Sequence, residues 1–193
     1  MNLAELDTFY PKSQEEWREW LKKNHVEKQS IWLIYYKTST KIPSITWSDA
    51  VDEALCFGWI DSTKKTIDNK RYMQYFSKRK PNSNWSKINK DKVEELIKNK
   101  KMSKAGIASI EVAKENGSWS QLDDVENLVI PLDLKEALSD HDAALEHFDA
   151  FSKSTKKQLL YWVLSAKRAE TRQKRILEIA ESARENLTPK SFR

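Results

Sequence analysis

The segment SIWLIYYK, residues 30–37, constrains the fold more than any other part of the sequence. Its β-branched and aromatic residues suit a pleated, buried backbone, so we predict a strand here. Two later segments, WIDS and RYMQYFSKR, look like strands joined by the polar connection TKKTIDNK. Together the three segments predict a small antiparallel sheet. Aromatic residues occupy both faces of RYMQYFSKR, which argues against a single solvent-facing side.

Helical signals surround the predicted strands. In SQEEWREWLKKN, Ser13 stands at a capping position and Glu16 follows three residues later, which is the capping-box spacing. The tryptophans and the leucine of this segment recur three and four residues apart, so one face is apolar. A second helix is predicted from near Ser48 to Phe57, with Gly58 placed to end it in a left-handed conformation.

Helices account for most of the remaining chain. The segment SNWSKINKDKVEELIKNKKM predicts one helix, and KAGIASIEVAKENG predicts another that ends at Gly117. The residues expected to face inward in the first of these are Ile88, Val93, Leu96 and Ile97. Residues 118–130 are predicted as a linking loop, and helices follow, with an antiparallel pair at the C-terminus. We therefore predict a helix-rich α+β fold, with an α+β domain at 1–118 and an all-helical module at 119–193 packed on it.

The composition is that of a globular protein with a substantial core. The 193 residues include eight Trp and only three Gly, and 39% are hydrophobic. No apolar run approaches 18 residues, and the N-terminal sequence shows no basic region followed by an apolar one, so we expect neither a spanning helix nor a secretory signal. The single cysteine fits a reducing compartment. We expect a soluble, cytoplasmic protein.

Charge is distributed in blocks along the chain. Residues 62–104 carry a net charge of +10 and residues 105–151 a net charge of −9, within a total of +5. One interpretation is internal, with oppositely charged helices lying across one another. The other is a basic face for a polyanion. Because aromatic residues accompany the basic ones, among them Tyr72, Tyr75 and Trp85, single-stranded nucleic acid is an alternative partner.

Residues suited to catalysis or to metal binding are scarce. The three histidines and the single cysteine have no spacing that predicts a zinc site, and three scattered glycines cannot form a phosphate-binding loop. Cys56 falls on the predicted helix before Gly58, where a buried thiol behaves as a small hydrophobe. Asp61 would disfavour its thiolate. We predict no metal, no cofactor and no catalytic residue.

Three motifs resemble those of a known family. They are EALCFGWID, the pattern RxPxSxWSKIN at residues 79–89, and AKRxETR in the C-terminal segment. On these motifs, and over most of residues 9–188, the chain resembles the YdeI/OmpD-associated family of bacterial proteins. The C-terminal part is similar to that family's bacteriocin-protection module.

The resemblance implies a function in protection against bacteriocin-like or cationic antimicrobial peptides, by binding and without an established reaction or cofactor. We therefore expect a non-enzymatic stress-resistance protein. The family name also implies association with an outer-membrane porin. The absence of a visible signal peptide argues against that partner here.

The motifs also predict a binding site between the sheet and the helix that begins near Trp85. Arg79 can offer a planar fork to a carboxylate or phosphate, and Ser83 or Asn84 could cap the helix. We expect a pocket for a small anionic or aromatic ligand, which an uncharacterised enzyme would equally need. The alternative is that Asp61 pairs with Arg79 or Lys87 and the tryptophans only pack. The candidate site residues are Trp47, Trp59, Asp61, Arg79, Trp85, Ser86, Lys87 and Asn89.

The motif near the C-terminus has two interpretations of its own. Arg172 and Arg175 are three residues apart and share a helix face. They could hold an acidic partner or the chain's own acidic block at residues 105–151. We favour the intramolecular contact, because that block supplies many carboxylates.

Overall fold

The computed structural model describes residues 6–193, in which the chain divides into two compact units between Ser120 and Gln121. Over these residues the first unit combines a sheet with four helices, and the second unit is helical. The predicted helix-rich α+β fold is therefore confirmed. The start of the predicted first domain, residues 1–5, lies outside the described residues.

Four strands form the sheet in the described part of the first unit. They are β1 (Thr8–Phe9), β2 (Ser30–Tyr36), β3 (Trp59–Thr66) and β4 (Arg71–Lys78), in the order β1-β2-β4-β3. The three long strands pair antiparallel, as predicted, with Ser30 opposite Ser77 and Trp59 opposite Lys78. The two-residue β1 adds a parallel pair with β2, so the sheet is mixed. A strand this short has no periodicity from which it could have been predicted.

A β-bulge interrupts the pairing of β3 with β4. The strand continues to Thr66, into the segment that the sequence predicts as a polar connection. Its register against β4 shifts by one residue, from Asp61 opposite Phe76 to Lys64 opposite Gln74. An extra residue in one strand changes the direction of the side chains that follow.

Helices α1 (Gln14–Asn24) and α2 (Trp47–Cys56) contribute Trp17, Leu21 and most of α2 to the core of the first unit. The predicted cap of α1 is confirmed, since Ser13 Oγ accepts the N–H of Glu16 at 3.3 Å. The carboxylate of Glu16 accepts the N–H of Lys12, one residue before the cap. Helix α2 is capped by Thr46, two residues before the predicted start.

Helices α3 (Lys87–Lys98) and α4 (Lys104–Glu115) complete the first unit. Val93 and Leu96 of α3 are buried as predicted, but Ile88 is 66% exposed and Ile97 is 47% exposed. The prediction for these two residues was wrong, because only a narrow stripe of α3 faces the rest of the unit. Gly58 has a φ of 73°, which confirms its predicted left-handed conformation after α2.

The second unit consists of five helices within residues 121–193. They are α5 (Asp123–Glu126), α6 (Leu132–Ser139), α7 (Ala144–Ala150), α8 (Lys153–Leu164) and α9 (Ala169–Arg184). The short α5 lies in a segment predicted as loop. Leucine, isoleucine, alanine and Phe148 side chains from these helices form a separate core. Across residues 6–193, the helices are too short or too polar to cross a membrane.

Within the second unit, Arg172 binds an acidic side chain of the same chain. Its Nε donates to Oδ2 of Asp133 at 2.7 Å, and its Nη2 donates to Oδ1 at 2.9 Å. This two-point contact confirms the intramolecular interpretation for Arg172. The described hydrogen bonds of Arg175 do not go to the acidic block, because its Nη1 donates to the carbonyl of Trp162 and to Ser165.

Candidate functional site

Three side chains from three elements meet on the surface of the first unit. The indole Nε1 of Trp47, the first residue of α2, donates to Oδ2 of Asp61 on β3 at 2.9 Å. Gln74 of β4 donates its Nε2 to the same carboxylate oxygen at 2.9 Å. Trp47 is 47% exposed, so the contact holds a large aromatic ring in a fixed direction at the surface.

The bulge in β3 creates this arrangement. Gln74 is only 5% exposed, and its Nε2 also donates to the carbonyl of Ser62, which belongs to the bulge, at 2.8 Å. Both hydrogens of the amide are therefore used, which fixes the position of Asp61 relative to the sheet. Gln74 was not predicted as a site residue, although a polar residue among the aromatic residues of β4 was a visible signal.

A cleft of about 260 Å³ opens at this point, here called the Asp61 cleft. It is lined by Trp47, Asp61, Lys64, Tyr72 and Gln74. The ammonium Nζ of Lys64 lies 4.2 Å from the centre of the Tyr72 ring. A second cleft of about 480 Å³, lined by Tyr36 and the loop from Lys37 to Thr46, shares Trp47 and Tyr72 with the first.

Tyr35 lies next to the Asp61 cleft and carries an unpaired hydroxyl. Its side chain is fully buried, and its ring stacks on Tyr72 with centres 4.8 Å apart. Its OH has no hydrogen-bond partner. Burial raises the pKa of Tyr35, and the neighbouring Tyr72 and Asp61 raise it further. A neutral phenol thus stands close to the residues that line the cleft.

Arg79 and Trp85 form a second contact in the same unit. The guanidinium of Arg79 lies 3.7 Å from the centre of the Trp85 ring, and its Nη1 donates to the carbonyl of Asn84 at 2.9 Å. The remaining edge, Nε and Nη2, is buried without an acceptor. Burial lowers the pKa of Arg79 to about 10, against the opposing effect of Asp61. The predicted direct pair between Asp61 and Arg79 is not formed, since Asp61 binds Trp47 and Gln74 instead.

The tryptophans of the candidate set differ in exposure. Trp59 and Trp85 are at most 1% exposed, and the indole N–H of each has no acceptor. The rings pack, because Trp59 meets Trp20 edge-on and Trp85 contacts Trp119 at 4.9 Å. Of the three candidate tryptophans, only Trp47 presents a surface to a ligand without a rearrangement.

The last three candidate residues, Ser86, Lys87 and Asn89, lie at the start of α3. Ser86 caps the helix by accepting the N–H of Asn89 at 3.4 Å, so the predicted caps Ser83 and Asn84 were wrong. Asn84 instead gives its carbonyl to Arg79, and Ser83 Oγ lies 3.3 Å from the same guanidinium. Lys87 pairs with Asp91 at 3.1 Å on the exposed face of the helix. The structure places none of these three residues at the Asp61 cleft.

Cys56 lies at the end of α2 and is fully buried. Burial raises the pKa of its thiol to about 11, and the carboxylate of Glu53 acts in the same direction. Glu53 is itself 2% exposed and accepts a hydrogen bond from Arg18 at 2.6 Å. A thiol with a raised pKa is a poor nucleophile, which agrees with the structural role predicted for Cys56.

The rings of the basic block are already in contact with other side chains. Tyr75 packs against Trp32 at 5.0 Å, and Lys65 lies over the Trp32 ring at 4.9 Å. Trp85 is covered by Arg79, as described above. Stacking on unpaired bases needs exposed rings, which excludes the buried Trp85, whereas Tyr72 and Tyr75 are half-buried. Within residues 6–193, the acidic, histidine and cysteine side chains form no group that could hold a metal ion.

Fold and site together describe an α+β protein with a surface cleft and a separate helical unit. The chain belongs to the family defined by a domain of unknown function (DUF8412), whose model matches residues 9–109. Residues 127–186 match a second family model, described as Bacteriocin-protection, YdeI or OmpD-Associated. The resemblance drawn from the sequence is thereby confirmed for the C-terminal module. No curated protein and no solved structure matches the chain.

Proposed function

We propose that this protein contributes to the protection of bacterial cells against bacteriocins or cationic antimicrobial peptides, and that it acts by binding. The observation that carries this proposal is the match of residues 127–186 to the bacteriocin-protection family. The family description names protection, and binding is the molecular activity that we propose for it.

The Asp61 cleft supports binding as the activity. Its polar groups are fixed in advance, because Trp47 and Gln74 both donate to the same oxygen of Asp61. Groups held in place before a ligand arrives lose little conformational entropy on binding. The thiol of Cys56, the strongest nucleophile in the chain, is buried and carries a raised pKa, which supports a non-enzymatic role.

A deletion strain challenged with a panel of bacteriocins and cationic peptides tests the proposal. The strain should be more sensitive to at least one agent, and the wild-type gene should restore resistance. A gene carrying Trp47→Ala should restore it poorly, whereas the exposed Ile88→Ala serves as a control outside the cleft. Unchanged sensitivity across the whole panel would contradict a protective function.

A second candidate is a role as a binder of small anions, which the unpaired Nε–Nη2 edge of Arg79 favours. These two nitrogens form the side of a guanidinium that binds a carboxylate or phosphate at two points. Thermal shift with acetate, succinate and inorganic phosphate tests this candidate. We expect stabilisation that is lost in Arg79→Ala and kept in the neighbouring, exposed Lys80→Ala. An identical shift in both variants would exclude Arg79 as the anion-binding residue.

A further inference from the structure

Two acceptor oxygens of the residues that line the Asp61 cleft have no donor among the described residues. Both described hydrogen bonds to Asp61 end on Oδ2, so Oδ1 accepts none from the residues that the structure describes. Both N–H groups of the Gln74 amide are used, and its carbonyl oxygen accepts none from the same residues. A ligand with hydrogen-bond donors can therefore bind at these two oxygens.

The walls of the cleft are aromatic. Trp47 and Tyr72 line it, and the orientation of Trp47 is set by its bond to Asp61. Aromatic faces attract cations, most strongly for indole, and a carboxylate beside them adds a counter-charge. The lining thus combines the two features by which proteins recognise a positively charged group.

The ammonium group of Lys64 already lies against the Tyr72 wall of the cleft. The Nζ of Lys64 lies 4.2 Å from the centre of the Tyr72 ring. Lys64 is exposed and can swing away at little cost. Its position shows that the Tyr72 face accepts an ammonium group in the free protein.

The unpaired Tyr35 hydroxyl is an independent indication of a missing partner. A buried hydroxyl without a hydrogen bond costs about 1–3 kcal/mol, so a native protein keeps few of them. Tyr35 stacks on Tyr72 and is close enough to Asp61 for that carboxylate to raise its pKa. The orphaned oxygen therefore belongs to a ring that stacks on Tyr72, one of the residues that line the cleft.

We infer that the Asp61 cleft binds a protonated amine or guanidinium group, with Asp61 as the counter-ion and Trp47 and Tyr72 as aromatic walls. The inference rests on the binding role proposed above and names its ligand class. The surrounding basic block does not prevent this, because exposed charges beyond about 8 Å are screened at physiological ionic strength. Lys64 opposes the ligand directly and must be displaced.

The probes that test the inference are Nα-acetylarginine amide, whose guanidinium is its only charge, and its neutral isostere Nα-acetylcitrulline amide, called arginine amide and citrulline amide below. In ¹H–¹⁵N spectra of the full chain, the indole resonance of Trp47, assigned by its loss in Trp47→Phe, should shift saturably with arginine amide. Citrulline amide should leave it in place. No shift of this resonance with arginine amide at tens of millimolar would overturn the inference, whatever the outcome with bacteriocins.

Two variants that each remove a charge test whether the cleft binds cations or anions. Asp61→Asn should weaken arginine amide binding at least tenfold, and Lys64→Gln should strengthen it several-fold at low salt. Lys80→Gln removes an exposed charge that does not line the cleft and should leave the affinity unchanged. Weaker binding of arginine amide in Lys64→Gln would contradict competition between Lys64 and the ligand. Binding of acetate at Trp47 in place of the cation would show that the cleft selects anions. Because Lys64 is exposed, its variant tests the inference even if Asp61→Asn folds poorly.

Discussion

The guanidinium of Arg79 lies over the indole of Trp85, 3.7 Å from its ring centre, while its Nε and Nη2 have no acceptor. The stacking is favourable, because a desolvated cation over an indole face is worth about 2 kcal/mol. Removing the guanidinium from water opposes it, and Asp61 compensates only from a distance, without a direct ion pair. Arg79 is therefore a packing residue that also carries an unpaired charge.

Because stacking is favourable and burial of the charge is unfavourable, substitutions at Trp85 and Arg79 should change the free energy of unfolding by different amounts. Trp85→Ala should lower the free energy of unfolding by about 3–5 kcal/mol, because it empties a fully buried site. Arg79→Met keeps much of the packing and removes the unpaired charge, so we expect a change within about 1 kcal/mol. Urea denaturation of both variants measures the difference. A loss in Arg79→Met as large as that in Trp85→Ala would show that the guanidinium is paired in the native protein.

Cys56 should react slowly with thiol reagents in the folded protein. Its pKa, raised to about 11, leaves little thiolate at pH 8, and its side chain is fully buried. Labelling by iodoacetamide should be slow without denaturant and fast in 6 M guanidinium, as followed by mass spectrometry. Because the folded-state pKa lies above the unfolded value of 9.0, the associated stability is complete below pH 9 and is lost as pH rises through 11. Equal labelling rates in both conditions would contradict the buried position.

The pair between Arg172 and Asp133 should stabilise the second unit modestly. Arg172→Met should lower the free energy of unfolding by about 1 kcal/mol at low salt, since the contact is two-pointed but partly exposed. Arg184→Met is the matched control, because its partner Glu185 is adjacent in sequence and more exposed. We expect no measurable loss there.

The same pair predicts how the loss depends on conditions. Arg172 lowers the pKa of Asp133, so the contribution is present above the ordinary value of 3.8 and disappears as pH falls through the lower folded value. The difference between wild type and Arg172→Met should therefore vanish in acid and shrink in 1 M salt. A difference independent of both pH and salt would mean that Arg172 contributes through packing alone.

Gly106 is required for the close contact between α2 and α4. A Cβ added there would lie 2.3 Å from the carbonyl oxygen of Cys56, a backbone atom that cannot move alone. Gly106→Ala should cost about 3 kcal/mol by overpacking. A Cβ added at Gly117 would meet no atom within 4 Å. Gly117→Ala should therefore cost only about 1 kcal/mol, because the φ of 81° at this position disfavours any residue but glycine. Similar melting temperatures for the two variants would contradict this close approach.

The elements of the fold could largely be predicted from local patterns. The composition of residues 30–37 indicates β2, and Ser13 and Gly58 mark a helix start and a helix end by their own conformational preferences. The exposure of Ile88 and Ile97 could not be predicted, because helical periodicity does not define the width of the contact that α3 makes.

The candidate site was predicted only in part. Trp47 and Asp61 were both named, but their contact depends on the place where α2 begins relative to the bulge in β3. Gln74, Lys64 and Tyr72 complete the cleft and were not named as site residues. One extra residue in β3 decides which side chains line the cleft, and such a bulge leaves no periodic signal in the sequence.

By itself, the sequence determined the fold class, the family resemblance and the absence of glycine-rich phosphate-binding loops, because each depends on residue types at short spacing. Tertiary structure alone decided which polar groups are paired. It left the Nε–Nη2 edge of Arg79 without an acceptor and gave Asp61 two donors from other elements. Pairing depends on distances between residues far apart in the chain, and only the packing of helices against the sheet sets those distances.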